Sequence, residues 1–450
     1  MKITKKFEKL PKSAVKLSLT VAKDDVTEAY DKVLSNYAKT LAIPGFRKGH
    51  APKDVLERKF GEPLKAEAMS NIIESALEET LDEKLEADKR PLVYSQPKLE
   101  GDEDKLQLKL GEKFEFTVSY DVMPDFKVEN YKAYEIEIPK VSIGKEDIDR
   151  EIEVLRKRNA IVIDKDDAAK AAKGDVLTIN YSELDDEGKT LPGSERQDFV
   201  FTLGSGENIY KFDDDLIGMK KDQTKTFDKE VDGAKKHLSV TVTALKTEQL
   251  PDLDDDFAQD VDEKYKTFAD LKASIKKRLE DTLEAQLKNT KINKLLEKLM
   301  EAVPVELPES MIRIEQEGRW RNLARQFGTD GESLEKMFRG EGGMTKETTM
   351  ANWRPEIEKA LHSRLIVEKL LDDLKIEASD ADIEKAIADD AERTGQPIED
   401  IKKYYEGGQA KDYLKQDIQE KKLFDMLLAE NTVKVGKAQK YEDFLKGEAE

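Results

Sequence analysis

The sequence predicts a multidomain α+β protein in three parts: an α+β head, a compact antiparallel β-sheet unit with a short helix, and a mostly α-helical C-terminal region. Three observations carry that prediction. Strand-like alternation of apolar and polar residues is confined to the chain before Leu250, and three-to-four spacing of apolar residues dominates after it. The length, 450 residues, corresponds to about three domains of roughly 150 residues each.

Taken in order, Ser13 to Val21 places Val15, Leu17, Leu19 and Val21 on one face, the pattern of a half-buried strand. A helix is predicted from about Asp24 to Leu41. Pro44, Gly45 and Gly49 then break the periodicity, and Pro52 suits the first position of a helix running towards Phe60, where its missing N–H is no loss. Ala66, Met69, Ile72, Ile73, Ala76 and Leu77 predict a longer helix from about Pro63 to Ala87. Two alternating strands, Leu106 to Leu110 and Phe114 to Val122, complete a head spanning 1–127.

Residues 128–159 read as a connector, extended to Pro139 and then a charged helix from Lys145 to Asn159. The β unit spans 160–248. Its strands are marked by Val176, Thr178 and Asn180, by Phe199, Phe201 and Leu203, by Thr224 to Val231, and by Leu238, Val240, Val242 and Ala244. Asp232-Gly233 between the last two is a short-hairpin signal. Over 249–450, helices are predicted near 267–302, 308–327, 346–374, 380–394 and 409–429. Thr267 and Ser379, each followed three residues later by an aspartate, are expected N-caps.

Charged residues make up 39% of the chain and aromatics only 7%, a composition that suits long solvated helices. With no cysteine, disulfides, thiol nucleophiles, iron–sulfur clusters and thiolate zinc sites are excluded. The first ten residues alternate charge with apolar side chains, unlike a signal peptide, and no apolar run approaches the ~18 residues of a membrane span. A cytoplasmic protein with no membrane partner is expected. Net charge is −20, but residues 1–60 hold fourteen Lys and Arg against seven Asp and Glu, a local +7 that leaves −27 beyond. A basic head on an acidic body suits a polyanionic partner met by the head alone, but on charge alone a solvated basic face is the favoured reading, since no zinc finger, basic zipper or aromatic RNA-binding signature accompanies it.

Few motifs invite chemistry. His50, His237 and His362 share no ligand spacing, and no nucleophile elbow is present. Gly204-Ser-Gly206 is read as a turn, since a dinucleotide loop would need a third glycine where Ile209 stands. Asp252 to Glu263 matches an EF-hand loop at positions 1, 3, 5, 9 and 12, but Phe257 occupies the position that requires glycine. An acidic helix start is the alternative there. No metal or cofactor is predicted. The loop Gly45-Phe46-Arg47-Lys48-Gly49-His50-Ala51-Pro52 differs in kind: glycines and prolines fix a turn whose tip carries an aromatic beside two cations. Such a tip suits docking on an RNA and protein surface, the cations on phosphate or carboxylate and Phe46 in a pocket.

This loop carries the Gly-Phe-Arg-x-Gly-x-x-Pro signature, and the chain resembles the trigger factor family of ribosome-associated bacterial chaperones. The order of parts agrees, the middle unit resembling FKBP-type prolyl isomerases, and the junction from Leu250 to Ala258 is similar to the family's return into its helical part. The resemblance implies that Gly45, Phe46, Arg47, Lys48, Gly49 and Pro52 form the site that meets ribosomal protein and RNA near the nascent-chain exit. It also implies that helical arms cradle unfolded polypeptides, keeping them unfolded and assisting folding and export. Met300, Met311, Ile312, Ile314, Leu323, Phe327, Leu414, Phe424, Met426 and Leu427 are candidates for client contact or for core. Whether the free protein forms a homodimer is left open.

In the FKBP pattern the prolyl pocket is lined by positions matching Tyr181, Phe199, Ile209 and Phe212. Prolyl isomerisation needs no acid, base or metal, only an apolar site that favours the twisted amide. Here Ser182-Glu183 stands where the family has Thr-Gly, Tyr210-Lys211 where it has Pro-Gly, and Leu238 where the last strand carries an aromatic. The long aromatic loop between the last two strands is reduced to Asp232-Gly233. These departures predict a retained fold with weak or absent peptidyl-prolyl cis-trans isomerase activity. The alternative reading is a free-standing prolyl isomerase that does not bind ribosomes.

Overall fold

The computed structural model describes residues 1–41, 46, 52–82, 84–101, 106–185, 187–206, 208–231, 234–341 and 345–447. The chain forms two compact units, one from Met1–Glu137 with Lys291–Lys434, the other from Ile138–Thr290 with the segment after Lys434.

The first unit begins with β1 (Ile3–Leu10), β2 (Ala14–Val21), α1 (Lys23–Thr40), α2 (Lys53–Thr80), β3 (Lys98–Leu99) and β4 (Phe114–Asp121). The four strands form one antiparallel sheet in the order β1-β2-β4-β3. Its buried face, Val15, Leu17, Leu19 and Val21 opposite Phe114, Phe116, Val118 and Tyr120, packs on Val26, Tyr30 and Leu34 of α1 and Leu56, Leu64 and Ile72 of α2. Period-two burial on the strands meets 3.6-period burial on the helices, giving a two-layer core.

Four details depart from the sequence reading. The strand β1 was not predicted, because lysines and glutamate fill half of its positions and only Ile3, Phe7 and Leu10 are half-buried, as expected of an edge strand. Two expected helices are one, α2, kinked at Phe60 (φ −130°, ψ 18°) ahead of Pro63, with Pro52 as N-cap. This helix stops at Thr80 and not Ala87, where Asp82 Oδ1 accepts from Lys84 N at 3.1 Å and competes with the helical ladder. Leu106 to Leu110 is not a strand. Leu108 alone of that run is fully buried, and β4 pairs instead with β3.

After β5 (Glu135–Lys140) the chain passes into the second unit as α3 (Lys145–Arg158), the expected charged helix. There β6 (Ile161–Asp164), β7 (Asp175–Leu184), β8 (Arg196–Thr202), the short α4 (Asp213–Leu216), β9 (Thr224–Val231) and β10 (Ala234–Gln249) form a five-stranded sheet. Its order is β6-β10-β7-β8 with β9 also on β10. Leu177, Ile179, Leu238, Val240 and Val242 face a core closed by Phe212 and Leu216. The expected Asp232-Gly233 turn lies outside the described residues, although Val231 pairs with Ala234.

The acidic segment begins a helix: Asp254 caps α5 (Asp255–Val261) by accepting from Phe257 N at 3.0 Å, and Asp255 accepts from Phe268 N at 2.7 Å. Phe257, at the position where a calcium loop needs glycine, is buried in the core formed with α3 and the first half of α6 (Phe268–Ala302).

The helical part of the first unit continues from α6 through α7 (Glu309–Gln326), α8 (Gly331–Glu341), α9 (Lys346–Leu374), α10 (Asp380–Thr394), α11 (Ile398–Tyr405) and α12 (Gly408–Glu430). β11 (Thr432–Ala438) then pairs with β5, and α13 (Tyr441–Gly447) packs on α3. Both predicted caps form: Thr267 and Asp270 exchange hydrogen bonds at 3.0 and 3.2 Å, and the Ser379 hydroxyl accepts from Asp382 N.

The β1–β2 turn is fastened to the start of α7. Lys12 and Ser13 both take left-handed φ, 61° and 53°, costly for residues with a Cβ. Glu306 offsets that cost by accepting from Lys12 N at 2.7 Å through its carboxylate and from Ser13 Oγ at 2.7 Å through its carbonyl. Glu309 accepts two bonds from the Arg354 guanidinium, 2.8 and 3.0 Å, and one from Lys12 Nζ at 2.5 Å. Arg354, then Lys12, hold its carboxyl down at about 2. A depressed folded value adds stability above the unfolded value of ~4.3 and loses it as pH falls towards the folded one. Amide exchange of Lys12 and Ser13 is therefore expected to accelerate as pH drops from ~4.3 towards ~2, beyond the intrinsic pH dependence. Glu309→Gln should abolish the extra acceleration at a cost of ~1 kcal/mol, kept small by the carboxylate's exposure.

Candidate functional site

The segment that carries the expected docking signature, 45–52, lies in sequence between α1 and α2, whose buried faces share the head core. Phe46 is 41% exposed, so its ring is not consumed by packing. Pro52 lies at the α2 terminus, and Lys53 reaches Asp31 of α1 at 3.7 Å. Gly45, Arg47, Lys48 and Gly49 lie outside the described residues.

In the second unit three of the four expected pocket residues come together. Tyr181 of β7 meets the Phe199 ring of β8 at 5.8 Å and Phe212 at 5.8 Å, both edge to face. Phe212 is fully buried, touching Phe201 at 5.9 Å and Phe227 of β9 at 6.1 Å. Ile209 does not join them, since its side chain is 76% exposed on the turn before Phe212. Edge-to-face contacts recur because each ring's positive edge meets a neighbour's negative face.

Polar groups rim this cluster. Tyr210 donates to Glu183 Oε1 at 2.8 Å, and Lys236 Nζ donates to Glu183 Oε2 at 2.8 Å. Lys236, followed by Tyr210, draws the Glu183 carboxyl below its ordinary range. Burial, then the Glu183 bond, pushes the Tyr210 hydroxyl up to about 12. Glu183 and Tyr181 share a strand face because they are two residues apart, and Leu238 pairs with both Glu183 and Phe227. Phe227, Tyr210 and Lys236 were not predicted as site residues. Two signals were available: Phe227 is the sole aromatic of β9, and Tyr210 stands where the family pattern has Pro. Beside the cluster a surface depression of about 570 Å³ is lined by Leu184, Asp185, Thr226, Phe227, Asp228 and His237, with the His237 imidazole against the Asp228 carboxylate.

The structure sorts the apolar candidates of the helical region. Met311, Ile312 and Leu427 are buried, and Met300, Leu323, Leu414, Phe424 and Met426 pack partly buried against cores. Ile314 and Phe327 are exposed, together with Met337, Tyr404 and Tyr413, which sequence periodicity did not single out.

Family models match three stretches of the chain: bacterial trigger factor protein over 1–155, FKBP-type peptidyl-prolyl cis-trans isomerase over 167–232, and the bacterial trigger factor C-terminus over 267–429. The trigger factor of Treponema denticola is 45% identical over 91% of this chain and 92% of its own length. That of Treponema pallidum (strain Nichols) is 36% identical over 99% of both chains, and that of Borreliella burgdorferi 33% over 99% of both. A solved chain described under "Promiscuous Substrate Recognition in Folding and Assembly Activities of the Trigger Factor Chaperone" shares the fold, with a TM-score of 0.50 and 24% identity, covering 95% of this chain and 99% of that one. On the docking signature, the order of folded parts and these matches, the chain belongs to the trigger factor family and carries an FKBP-type isomerase domain.

Proposed function

We propose that the protein is a ribosome-docked chaperone of nascent and unfolded polypeptides, working in the cytoplasm, with an FKBP-type domain of weak or absent isomerase activity. The observation that carries this reading is a cationic head on an acidic chain, +7 over residues 1–60 within a total of −20, ending in a loop whose Phe46 ring stays exposed. An exposed aromatic flanked by Arg47 and Lys48 suits a mixed RNA and protein surface, because the ring gains by desolvation and the cations by phosphate contact. The acidic remainder is repelled by RNA, so docking falls to residues 45–52 of the head, which we assign to 1–127. Client holding falls to the exposed apolar residues of 249–450, Ile314, Phe327 and Met337 among them. The domain of 160–248 keeps the aromatic cluster that a prolyl pocket requires, with Tyr181, Phe199 and Phe212 as its lining, and 128–159 connects it to the head.

Ribosome co-sedimentation across ionic strength tests the docking. Affinity is expected to fall at least ~10-fold as the screening length shrinks from ~10 Å to ~3 Å. Failure to pellet at any salt would favour the free-standing isomerase, and salt-independent pelleting would remove the cations from the account.

A further inference from the structure

The FKBP-type domain carries a side chain on the surface its substrate would use. Phe212 is fully buried, and one of the rings covering it is Tyr210, stacked at 6.3 Å with an interplanar angle of 12°. The same Tyr210 ring meets Tyr181 edge-on at 5.7 Å, so it lies against two of the three aromatic rings assigned to the prolyl pocket. Its hydroxyl is tied to Glu183 of β7, and Glu183 is tied in turn to Lys236 of β10.

The backbone beneath it is set for this placement. Lys211 takes φ 48°, in the left-handed region that a residue with a Cβ enters at a cost. Asn208, nearly fully buried, fixes the turn by accepting from Phe212 N at 2.9 Å through its side chain and from Lys211 N at 3.2 Å through its carbonyl. A strained turn held by a buried amide, and a ring held by a charge-assisted bond, both direct Tyr210 onto Phe212.

We propose that Tyr210 is an internal plug of the prolyl pocket, a specificity-determining residue that occupies the place of the substrate's proline ring and is latched by Glu183 and Lys236. A prolyl peptide enters only in the fraction of molecules whose Tyr210 has swung away, so its apparent affinity is reduced by that fraction. Once bound, the peptide meets the same aromatic walls as in an open pocket. The plug therefore raises KM and leaves kcat unaltered. The inference rests on the assignment of Tyr181, Phe199 and Phe212 to the pocket.

The test is made on the full chain with a succinylated tetrapeptide containing one Leu-Pro bond, its cis–trans exchange followed by NMR. Tyr210→Gly is expected to lower KM at least ~10-fold with kcat unchanged, and Tyr210→Phe, which keeps the ring but frees it from Glu183, to lie between. If Tyr210→Gly does not fold by circular dichroism, Glu183→Ala opens the latch from the other side and should lower KM in the same direction. A folded Tyr210→Gly or Glu183→Ala protein with KM unchanged overturns the plug. Adding Phe212→Leu to the opened variant distinguishes the two layers of the argument. Loss of the gain supports plug and pocket together, whereas a gain that survives refutes the pocket assignment and the plug with it. A basal rate that falls with Phe212→Leu alone, with no gain on opening, refutes the plug but keeps the pocket.

Discussion

Replacing Phe46, Arg47 and Lys48 together by alanine is expected to weaken ribosome binding at least ~100-fold, with no change in the suppression of aggregation of a free denatured client. The magnitude follows from three losses. A desolvated aromatic anchor contributes ~2 kcal/mol, and two cations facing phosphate or carboxylate contribute ~1 kcal/mol or more between them, so that ~3 kcal/mol or more is lost. The chain beyond residue 60 does not compensate, because it carries −27. Client holding is expected to be unaffected since Ile314 and Met337 belong to helices α7 and α8 and Phe327 is the C-cap of α7. The substitutions themselves are benign for the fold at Phe46, which is 41% exposed. Co-sedimentation and light scattering on the same preparations check both halves, and loss of holding along with docking would show that the two functions are not separable as argued.

Trp320→Ala is expected to cost ~3–5 kcal/mol and to release α8 from its place on α7. Trp320 is 1% exposed, contacts the Phe338 and Trp353 rings at 6.1 and 6.5 Å, and donates its indole N–H to Gly331 O at 3.2 Å. Truncation leaves a cavity and removes the donor from a carbonyl at the start of α8. Gly331 is fitted to the ring so closely that a Cβ there would come within 2.9 Å of Nε1. Exposed Phe327 is held by Phe338 at 5.9 Å, so the loss of α8 also removes the support of a surface assigned to clients. Hydrogen exchange should show α8 losing protection while the head sheet keeps its own, and client holding should fall. The chain's only tryptophans are Trp320 and Trp353, so fluorescence of the variant reports this region through Trp353 alone. Unchanged exchange in α8 would contradict the packing argument.

What the sequence revealed followed from how strongly each element's burial repeats. Helices α6, α7, α9, α10 and α12 emerged within a few residues, because long amphipathic runs carry their own period, and α6, α9 and α10 begin at Thr267, Thr345 and Ser379 caps. Short elements, α8 and α11 among them, offered too few turns to establish a period, and β11 is mostly exposed. The edge strand β1 was hidden by its lysines. At the candidate site, the Gly45–Pro52 motif stood out in the sequence because an aromatic and two adjacent cations between glycines and prolines follow no apolar period, and Tyr181, Phe199 and Phe212 because aromatic positions in a strand pattern align with a family's pocket. The Tyr210–Glu183–Lys236 chain was not. Its members lie on a turn and two strands, and only the pairing of β7 with β10 brings Glu183 and Lys236 to one rim.

The central claim, that the head loop touches the ribosome where nascent chains emerge, is tested most directly by placing a photo-crosslinking amino acid at position 46 and irradiating the protein with ribosomes carrying a stalled nascent chain. The account predicts crosslinks from position 46 to ribosomal protein or RNA at the exit site, competed by unmodified protein and lost at high salt. Absence of ribosomal crosslinks, while the same protein still pellets with ribosomes and still holds clients, would contradict it.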